Sequence, residues 1–328
     1  MGTNRIVSGM RPTGKLHLGH FHGVLANWKE LQNNFECFFF AADWHSLTTE
    51  YANTEIIRAS TREMLLDWLA YGIDPEKSTI FVQSKVPQHA EMNLILSMIT
   101  PLSWLERNPT YKEQLDNLDT KDLSTFGFLG YPVLMASDII VYKADRVPVG
   151  HDQLPHLEIT REIARRFNYL YREVFPEPAA LLTETPKVLG LDGRKMSKSY
   201  NNAVYLSESE EETRKKVMSM VTDVQRPRKA DPGEPDRCIA YTLHRLYTPE
   251  SMRAEIVESC RGAQIGCVEC KKMLAQNVID TLAPFREKRR ELSEKPELLE
   301  DILDEGSRKA AKEAAKTMQE VRSALNIE

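Results

Sequence analysis

The sequence predicts an α/β protein in which a doubly wound parallel sheet is followed by a second, all-helical domain. Strand-like and helix-like segments alternate in the first part of the chain, and every strong apolar pattern after about Tyr205 has helical spacing. The length of 328 residues fits about two domains. Because 41% of the residues are apolar, the chain can bury a large core without the support of disulfides or metals.

The N-terminal alternation begins with a short apolar strand that leads into the breaker-rich loop Gly9–Gly14. Two amphipathic helices then alternate with two further strands, and the second helix stops at Gly72. This order favours a parallel sheet, whose ligands bind at the carboxyl ends of the strands, where the loop lies. The predicted segments are strands at residues 5–8, 36–42 and 79–82 and helices at residues 19–31 and 56–69.

The rest of the chain is predicted to be mostly helical. Residues 85–130 are of mixed polarity, which suits an inserted or interface segment better than part of the sheet. Residues 226–235 contain three prolines and a glycine and therefore predict a loop. The alternating charges and modest apolar stripe of residues 301–326 predict a helix that packs on the body of the protein.

Charge and hydropathy limit the function classes. The formal net charge of −5 at pH 7 excludes a wholly basic coat for nucleic acid but allows a local basic face for RNA. The mean hydropathy is −0.43 and the purest apolar run is the short segment at residues 37–42, so we expect no membrane span. The N-terminus lacks a signal-peptide pattern, and the expected compartment is the cytoplasm.

The segment His17-Leu18-Gly19-His20 lies between the glycine-rich loop and the first helix. Two imidazoles three positions apart can lie on one face of a first helical turn, and Gly19 lets a nucleotide approach the backbone. The free N–H groups at a helix start favour phosphate. The pattern therefore indicates a triphosphate site, although two solvated cap histidines would give the same residues.

A second motif, Lys195-Met196-Ser197-Lys198-Ser199, follows turn residues at 192–194. Two lysines beside small hydroxyl residues supply movable positive charge. Its attraction to a leaving pyrophosphate strengthens as negative charge builds on that group. The alternative is an ordinary basic surface loop. The five-residue pattern is rare enough by chance to favour the catalytic interpretation.

Together the two motifs resemble the HIGH and KMSKS signatures of the class I aminoacyl-tRNA synthetases, in the same order and with a domain-sized interval between them. The intervening residues resemble specifically the bacterial tryptophanyl-tRNA synthetases, and the resemblance covers essentially the whole chain. Arg11 and His151 depart from the family, which often has Gln and an acidic residue at these places. The segments that carry the resemblance are residues 9–14, 43–45, 131–138 and 147–153.

The resemblance implies a Rossmann catalytic domain and a helical anticodon-binding domain, usually in a homodimer. It implies ATP-dependent activation of L-tryptophan to tryptophanyl-AMP, release of pyrophosphate whose oxygens Mg²⁺ would bridge, and transfer to tRNA(Trp). The implied units are residues 1–200 for the catalytic domain, 201–298 for the anticodon-binding domain and 299–328 for a C-terminal helix packing back on the body. Within the first unit, residues near 85–130 would form a helical insertion or dimer segment, and residues 195–199 the KMSKS loop.

The same resemblance implies the ATP site. His17 and His20 would hold the phosphates, and Lys195 and Lys198 would follow the departing pyrophosphate with positive charge, with no covalent enzyme intermediate. The residues implied to contact ATP are Arg11, Pro12, Thr13, Gly19, His20, Gly150, His151, Asp152, Val188, Lys195, Met196, Ser197, Lys198 and Ser199.

The implied tryptophan site centres on Asp138, which would accept the indole N–H. A buried carboxylate discriminates against phenylalanine because it would be left unpaired. Without the resemblance, the run around Asp138 favours a solvent-facing carboxylate on an amphipathic helix. The pocket would be shaped by Met135, Val7, Val147 and Val149, and the amino-acid head group would be held by Tyr131, His45 and Gln153.

Five cysteines are an odd number for a disulfide framework. Cys238, Cys260, Cys267 and Cys270 have gaps of 21, 6 and 2 residues, which by spacing alone suit zinc or an iron–sulfur cluster. A subset of tryptophanyl-tRNA synthetases has a similar arrangement with a [4Fe–4S] cluster, so the resemblance favours iron–sulfur over Zn²⁺. Cys37, within a predicted strand, is expected to be a core thiol.

Three other functions remain open from the sequence. A tyrosyl-tRNA synthetase shares both signatures, but its tyrosine-reading residues are not recognisable here. A small-molecule nucleotidyltransferase would share the histidine motif but needs neither the lysine motif nor a helical domain. A non-catalytic, synthetase-like Fe–S RNA-binding protein would have no reason to keep both signatures intact.

Overall fold

The computed structural model describes residues 4–109, 111, 124–182 and 187–327. Five strands form one parallel sheet in the order β3-β2-β1-β4-β5. The chain adds β2 and β3 on one side of β1 and then β4 and β5 on the other side. The connections therefore diverge between β1 and β4, and a crevice opens at the carboxyl ends of these two strands. The predicted α/β, doubly wound fold class is therefore confirmed. The strands are β1 (Arg5–Met10), β2 (Glu36–Ala41), β3 (Ser78–Val82), β4 (Arg146–Val149) and β5 (Ala179–Leu182).

The sheet is buried on both faces, because successive side chains of a strand point to opposite sides. Ile6 and Phe39 pack into one hydrophobic core, whereas Val7, Phe38 and Phe40 pack into the other. Both central strands therefore consist of nearly continuous apolar residues, as expected of a parallel sheet covered by helices on two sides.

Helices connect the strands and extend beyond the sheet. The first, α1, spans residues 18–31 and is π-helical at Phe21–Leu25, a local widening that the sequence pattern did not predict. The others are α2 (Asp43–Glu50), α3 (Glu55–Tyr71), α4 (Gln88–Ser97), α5 (Leu102–Glu106), α6 (Phe126–Ile140), α7 (Leu154–Leu170), α8 (Glu210–Ser219), α9 (Ile239–Tyr247), α10 (Glu250–Arg261), α11 (Cys267–Ser293) and α12 (Pro296–Leu325).

The helical region after the sheet is joined to the sheet-containing part of the chain by a buried ion pair. Arg289 on α11 donates from Nε to Asp67 Oδ1 on α3 at 2.7 Å and also pairs with Glu63. Asp67 is 2% exposed, so its charge depends on Arg289 for compensation. The contact fixes α11 against the helix that precedes β3.

The C-terminal helix α12 packs directly on the sheet. Gly306 faces β3 so closely that a Cβ atom there would lie 1.8 Å from the carbonyl oxygen of Ile80. Ala310, Ala314 and Met318 continue the same buried stripe. Small residues therefore let this helix approach the sheet backbone. In the part of the chain that the structure describes, no helix combines the length and apolar character needed to cross a membrane.

Candidate active site

The histidine motif forms the start of α1, beside the carboxyl end of β1. His17 is the N-cap residue: its Nδ1 accepts from the backbone N–H of Gly19 at 3.1 Å, and its own N–H donates to His20 Nδ1 at 3.1 Å. The two ring centroids are 3.9 Å apart. Because a backbone N–H donates to each Nδ1, each neutral ring carries its proton on Nε2. The predicted placement of both imidazoles in a first helical turn is confirmed.

Both imidazoles are held in the neutral form. Burial, and then the positive charges of Lys198 and Lys195, lower the pKa of His17 to about 4. Burial, and then His17, lower the pKa of His20 well below its usual value. The pair therefore offers N–H donors to an anion without carrying formal charge at neutral pH.

The lysine motif is tied to the same region by backbone pairing and by Asn202. Asn202 is 2% exposed, accepts from the Ser197 N–H at 2.8 Å and donates to Asp192 at 2.7 Å. The adjoining chain bonds back to α1, since the N–H of Leu18 donates to the Val204 carbonyl at 3.1 Å. A segment some 180 residues along the chain thus lies beside the histidine motif.

Lys198 connects the two loops directly. Its Nζ donates to the carbonyl of Gly14 at 2.9 Å, across the mouth of the site. Burial, and then the positive charge of Arg11, lower the pKa of Lys198 to about 8. Met196 is buried, and its N–H donates to the Val188 carbonyl at 3.0 Å, so this part of the loop is anchored in the core.

A cavity of about 320 Å³ opens at the carboxyl ends of β1 and β4. Its wall combines apolar side chains from the strands with polar groups from α2, α6 and the turn after β4. All eight residues expected to surround tryptophan line it, together with Arg11. Those eight are Val7, His45, Tyr131, Met135, Asp138, Val147, Val149 and Gln153.

Asp138 lies on the inner face of α6 and is only 2% exposed, which rules out a solvent-facing carboxylate. Its Oδ2 lies 2.8 Å from His45 Nε2, and its Oδ1 lies 2.7 Å from Gln83 Nε2 and 2.6 Å from His89 Nδ1. Burial alone would raise the pKa of Asp138, but hydrogen bonds from His45 and His89 lower it below the usual value. The carboxylate is therefore ionised and accepts hydrogen bonds.

The polar end of the cavity is built around Tyr131. Its hydroxyl lies 2.6 Å from Nε2 of His156, a buried residue that also lines the cavity and that the sequence did not single out. Burial lowers the pKa of His156 to about 4, so this ring is neutral. His45, expected at the head group, is bonded instead to Asp138, whereas Gln153 Nε2 lies 3.2 Å from Asp152.

The turn after β4 completes the rim. Gly150 is the N-cap of a short 3₁₀ segment, His151–Gln153, and a Cβ at Gly150 would lie 2.6 Å from Asp152 Oδ1. Arg11 donates to Thr49 Oγ1 on α2 and reaches the cavity wall. Glycine at 150 thus allows the backbone of this rim to lie close to the Asp152 carboxylate.

The four clustered cysteines lie in the helical region. Cys238 precedes α9, Cys260 is near the end of α10, and Cys267 and Cys270 begin α11; all are half-buried and free. Burial, and then charge on the other three, raise the pKa of the Cys270 thiol to about 12. Cys37 is 1% exposed in β2, which confirms it as a core thiol.

Among the described residues, no group of three or more His, Cys, Asp or Glu side chains is placed to hold a metal ion. Two polar side chains approach the sulfurs: Arg226 Nη1 lies 3.6 Å from Cys260 Sγ, and His244 Nε2 lies 3.3 Å from Cys270 Sγ. Charge on the other three cysteines affects the Cys270 thiol, but the described side chains do not converge on a metal ion.

The chain is similar over nearly its whole length to known synthetases. A family model described as "tRNA synthetases class I (W and Y)" matches residues 2–283. The chain is 54% identical over 325 residues to the tryptophan–tRNA ligase of Thermotoga maritima (98% of this chain, 99% of the relative). It is 48% identical over 393 aligned positions to that of Aquifex aeolicus (98% and 100%). The crystal structure of tryptophanyl-tRNA synthetase from Campylobacter jejuni complexed with ADP and tryptophan matches with a TM-score of 0.91 at 34% identity, covering 98% of this chain and 100% of that chain. The chain therefore belongs to the class I tRNA synthetases for tryptophan and tyrosine, and within them to the tryptophan–tRNA ligases.

Proposed function

We propose that this cleft activates L-tryptophan with ATP and then transfers the tryptophanyl group to the 3′ end of tRNA(Trp). One observation carries the proposal: a single cavity of about 320 Å³ gathers a buried, ionised Asp138, apolar strand residues and head-group donors at the carboxyl ends of β1 and β4. A mostly apolar cavity with few convergent polar groups suits a rigid aromatic amino acid.

In the first half-reaction, a carboxylate oxygen of tryptophan attacks the α-phosphorus of ATP in line. The bond from that phosphorus to the bridging oxygen breaks, and pyrophosphate leaves with the electron pair. In the second, a terminal ribose hydroxyl of tRNA attacks the activated carbonyl and AMP leaves. No enzyme nucleophile is required, so rate enhancement would come from positioning and charge stabilisation.

The two motifs divide the work on the phosphates. His17 and His20 would donate from Nε2, because both Nδ1 atoms are already occupied by backbone N–H groups. Lys195 and Lys198 would follow the departing pyrophosphate with positive charge. The Nζ of Lys198 would exchange its bond to Gly14 for phosphate oxygens.

Arg11 and Tyr131 would meet the amino-acid end of the substrate. Both line the tryptophan cavity, and Arg11 is also bonded to Thr49 on α2. We therefore propose that the guanidinium of Arg11 faces the tryptophan carboxylate rather than the ATP phosphates, while Tyr131 and Gln153 hold the amino group.

Mg²⁺ would accompany ATP. No described group of His, Cys, Asp or Glu side chains is placed to hold a metal ion, so the phosphate oxygens would be its main ligands. When bound, Mg²⁺ neutralises charge on those oxygens. Lys195, Lys198 and the histidines act on the same phosphates from the protein side.

Lys195→Ala tests the proposal. Single-turnover adenylate formation should fall by about 100-fold, because one donor to the developing charge is lost, whereas tryptophan binding should change little. Arg194→Ala is the matched control, since Arg194 pairs with Asp192 at 2.6 Å and stacks on Tyr200 rather than facing the cleft. Unchanged adenylate formation in Lys195→Ala would contradict the assigned role.

We propose that Cys238, Cys260, Cys267 and Cys270 hold a [4Fe–4S] cluster, with Zn²⁺ as the alternative. All-thiolate donors suit such a cluster. The choice over zinc follows the spacing of the four cysteines and the resemblance to the cluster-bearing subset of the family, since the described side chains form no metal-ion site. A bound cluster would cross-link the ends of α9, α10 and α11. Iron and acid-labile sulfide in anaerobically purified protein are expected; zinc alone would reverse the choice.

We propose that a second copy of the chain covers an apolar face formed by α2, α4, α5 and α6. This face holds a cavity of about 900 Å³, and Met98, Leu102 and Phe126 on it are 73%, 60% and 77% exposed. Thr48 and Tyr131 line both this cavity and the tryptophan cavity. Part of the predicted dimer segment, residue 110 and residues 112–123, lies outside the described residues. Sedimentation should give a dimer that Leu102→Asp dissociates; a monomeric parent protein would refute the assignment.

We also propose that residues 201–298 form the anticodon-binding domain for tRNA(Trp) and that the protein works in the cytoplasm. Five free cysteines favour a reducing compartment. The boundaries at residues 200 and 298 stay predictions.

A further inference from the structure

Behind the tryptophan cavity, Asp138 is bonded to two side chains that do not line it. Gln83 and His89 are both fully buried, and both contact Oδ1. His89 also lies 2.7 Å, through Nε2, from the hydroxyl of Tyr142, which is fully buried as well. Their hydrogen bonds reach the cavity through Asp138, and the ring of His89 also lies 5.9 Å, centroid to centroid, from Phe40 on the cavity wall.

The hydrogen-bond directions in this network follow from an ionised Asp138 and a neutral His89 ring. Because Asp138 is an acceptor, His89 carries a proton on Nδ1. In the neutral ring Nε2 then offers a lone pair, to which the Tyr142 hydroxyl donates. Gln83 cannot turn its amide over, because its Oε1 already accepts the Trp44 N–H at 3.2 Å. Every donor in the network therefore points towards the carboxylate.

This arrangement leaves the carboxylate one free acceptor position. Oδ1 accepts two donors, from Gln83 and His89, which occupy both of its lone pairs. Oδ2 accepts one donor, from His45, which lines the cavity. Asp138 itself lines the cavity, so its unused acceptor position on Oδ2 is available to a ligand there, and indole supplies a single N–H.

We propose that His89, held in one tautomer by Tyr142, is a positioning residue. It orients the Asp138 carboxylate so that a single acceptor position remains, and this position binds the indole N–H. The proposal rests on the assignment of Asp138 to the tryptophan site. Its consequence is that specificity for an N–H depends on two side chains that never touch the substrate.

The test compares tryptophan with β-(3-benzothienyl)alanine, in which sulfur replaces the indole N–H. The readout is the ratio of kcat/KM for the two amino acids in pyrophosphate exchange, with KM for ATP measured alongside. His89→Leu removes the donor to Asp138. His89→Asn is the matched control, because its amide nitrogen can lie where Nδ1 lay.

The preference for tryptophan should fall by about tenfold or more in His89→Leu, mainly through KM for the amino acid. The reason is that Asp138, without its bond from His89, no longer holds one orientation for its charge-assisted hydrogen bond with the indole N–H. His89→Asn should recover most of it, and KM for ATP should stay unchanged in both. A folded His89→Leu enzyme with the parental preference, or equal losses in both variants, would overturn the proposal. If His89→Leu does not fold, Tyr142→Phe carries the test: it should lower the preference by a smaller factor, and an unchanged preference would overturn the proposal.

Asp138→Leu separates this inference from the assignment of Asp138 beneath it, because leucine offers the indole N–H no acceptor. If folded Asp138→Leu keeps the parental preference, Asp138 does not read the indole and both assignments fail. If folded Asp138→Leu loses the preference while folded His89→Leu keeps it, only the role of His89 is wrong.

Discussion

Lys198 makes the ATP-dependent step sensitive to pH in a range that few side chains cover. Burial and the charge of Arg11 lower the pKa of Lys198 to about 8, while Asp67 partly opposes the shift. As pH rises through that value the ammonium loses its proton, and with it the charge that meets the phosphates. At pH 9 about one tenth of the free enzyme keeps the charge. We therefore expect kcat/KM for ATP to fall about tenfold between pH 7 and pH 9, since this parameter reports the free enzyme.

Tryptophan-dependent pyrophosphate exchange, measured from pH 6 to pH 10 at saturating tryptophan, gives this profile. Lys198→Arg is the control, because a guanidinium stays charged throughout the range. Its profile should lack the alkaline fall, even if its activity is lower overall. An alkaline fall that persists at the same pH in Lys198→Arg, or a flat profile in the parent enzyme, would refute the reasoning.

Two further predictions concern how the parts are held together. Gly306→Ala should lower the free energy of unfolding by about 1–3 kcal/mol, because its Cβ would meet the Ile80 carbonyl; an unchanged thermal midpoint would show that α12 packs otherwise. Arg289→Met should cost about 3 kcal/mol by leaving Asp67 buried without its partner, and adding Asp67→Asn should recover much of the loss in denaturant unfolding. If the losses of unfolding free energy in the two single variants simply add up in the double variant, Arg289 and Asp67 are not coupled.

Local sequence patterns predicted the elements whose signal is local. The first three strands follow from short apolar runs, and the histidine motif follows from its position after the first strand. The short strands β4 and β5 were not predicted, because only four residues form each and their neighbours in the sheet come from elsewhere in the chain.

The cavity around Asp138 was harder to predict. Asp138 gave no local sign of burial, and only the resemblance to a family identified it. His89 and Gln83 were missed because their contacts with Asp138 span 49 and 55 residues of chain, which no periodicity reports. His45 was expected at the head group, but its ring is bonded to Asp138. The one available signal was the helical spacing of His89 with the buried Met92 and Leu96 of α4, and it is ambiguous on its own.

The central claim is that this cleft activates tryptophan. The most direct test is pyrophosphate exchange into ATP with tryptophan, and separately with tyrosine, as the only added amino acid. The assignment of Asp138 and its apolar surroundings to an indole predicts exchange with tryptophan alone. Exchange supported by tyrosine instead, or by neither amino acid, would contradict it.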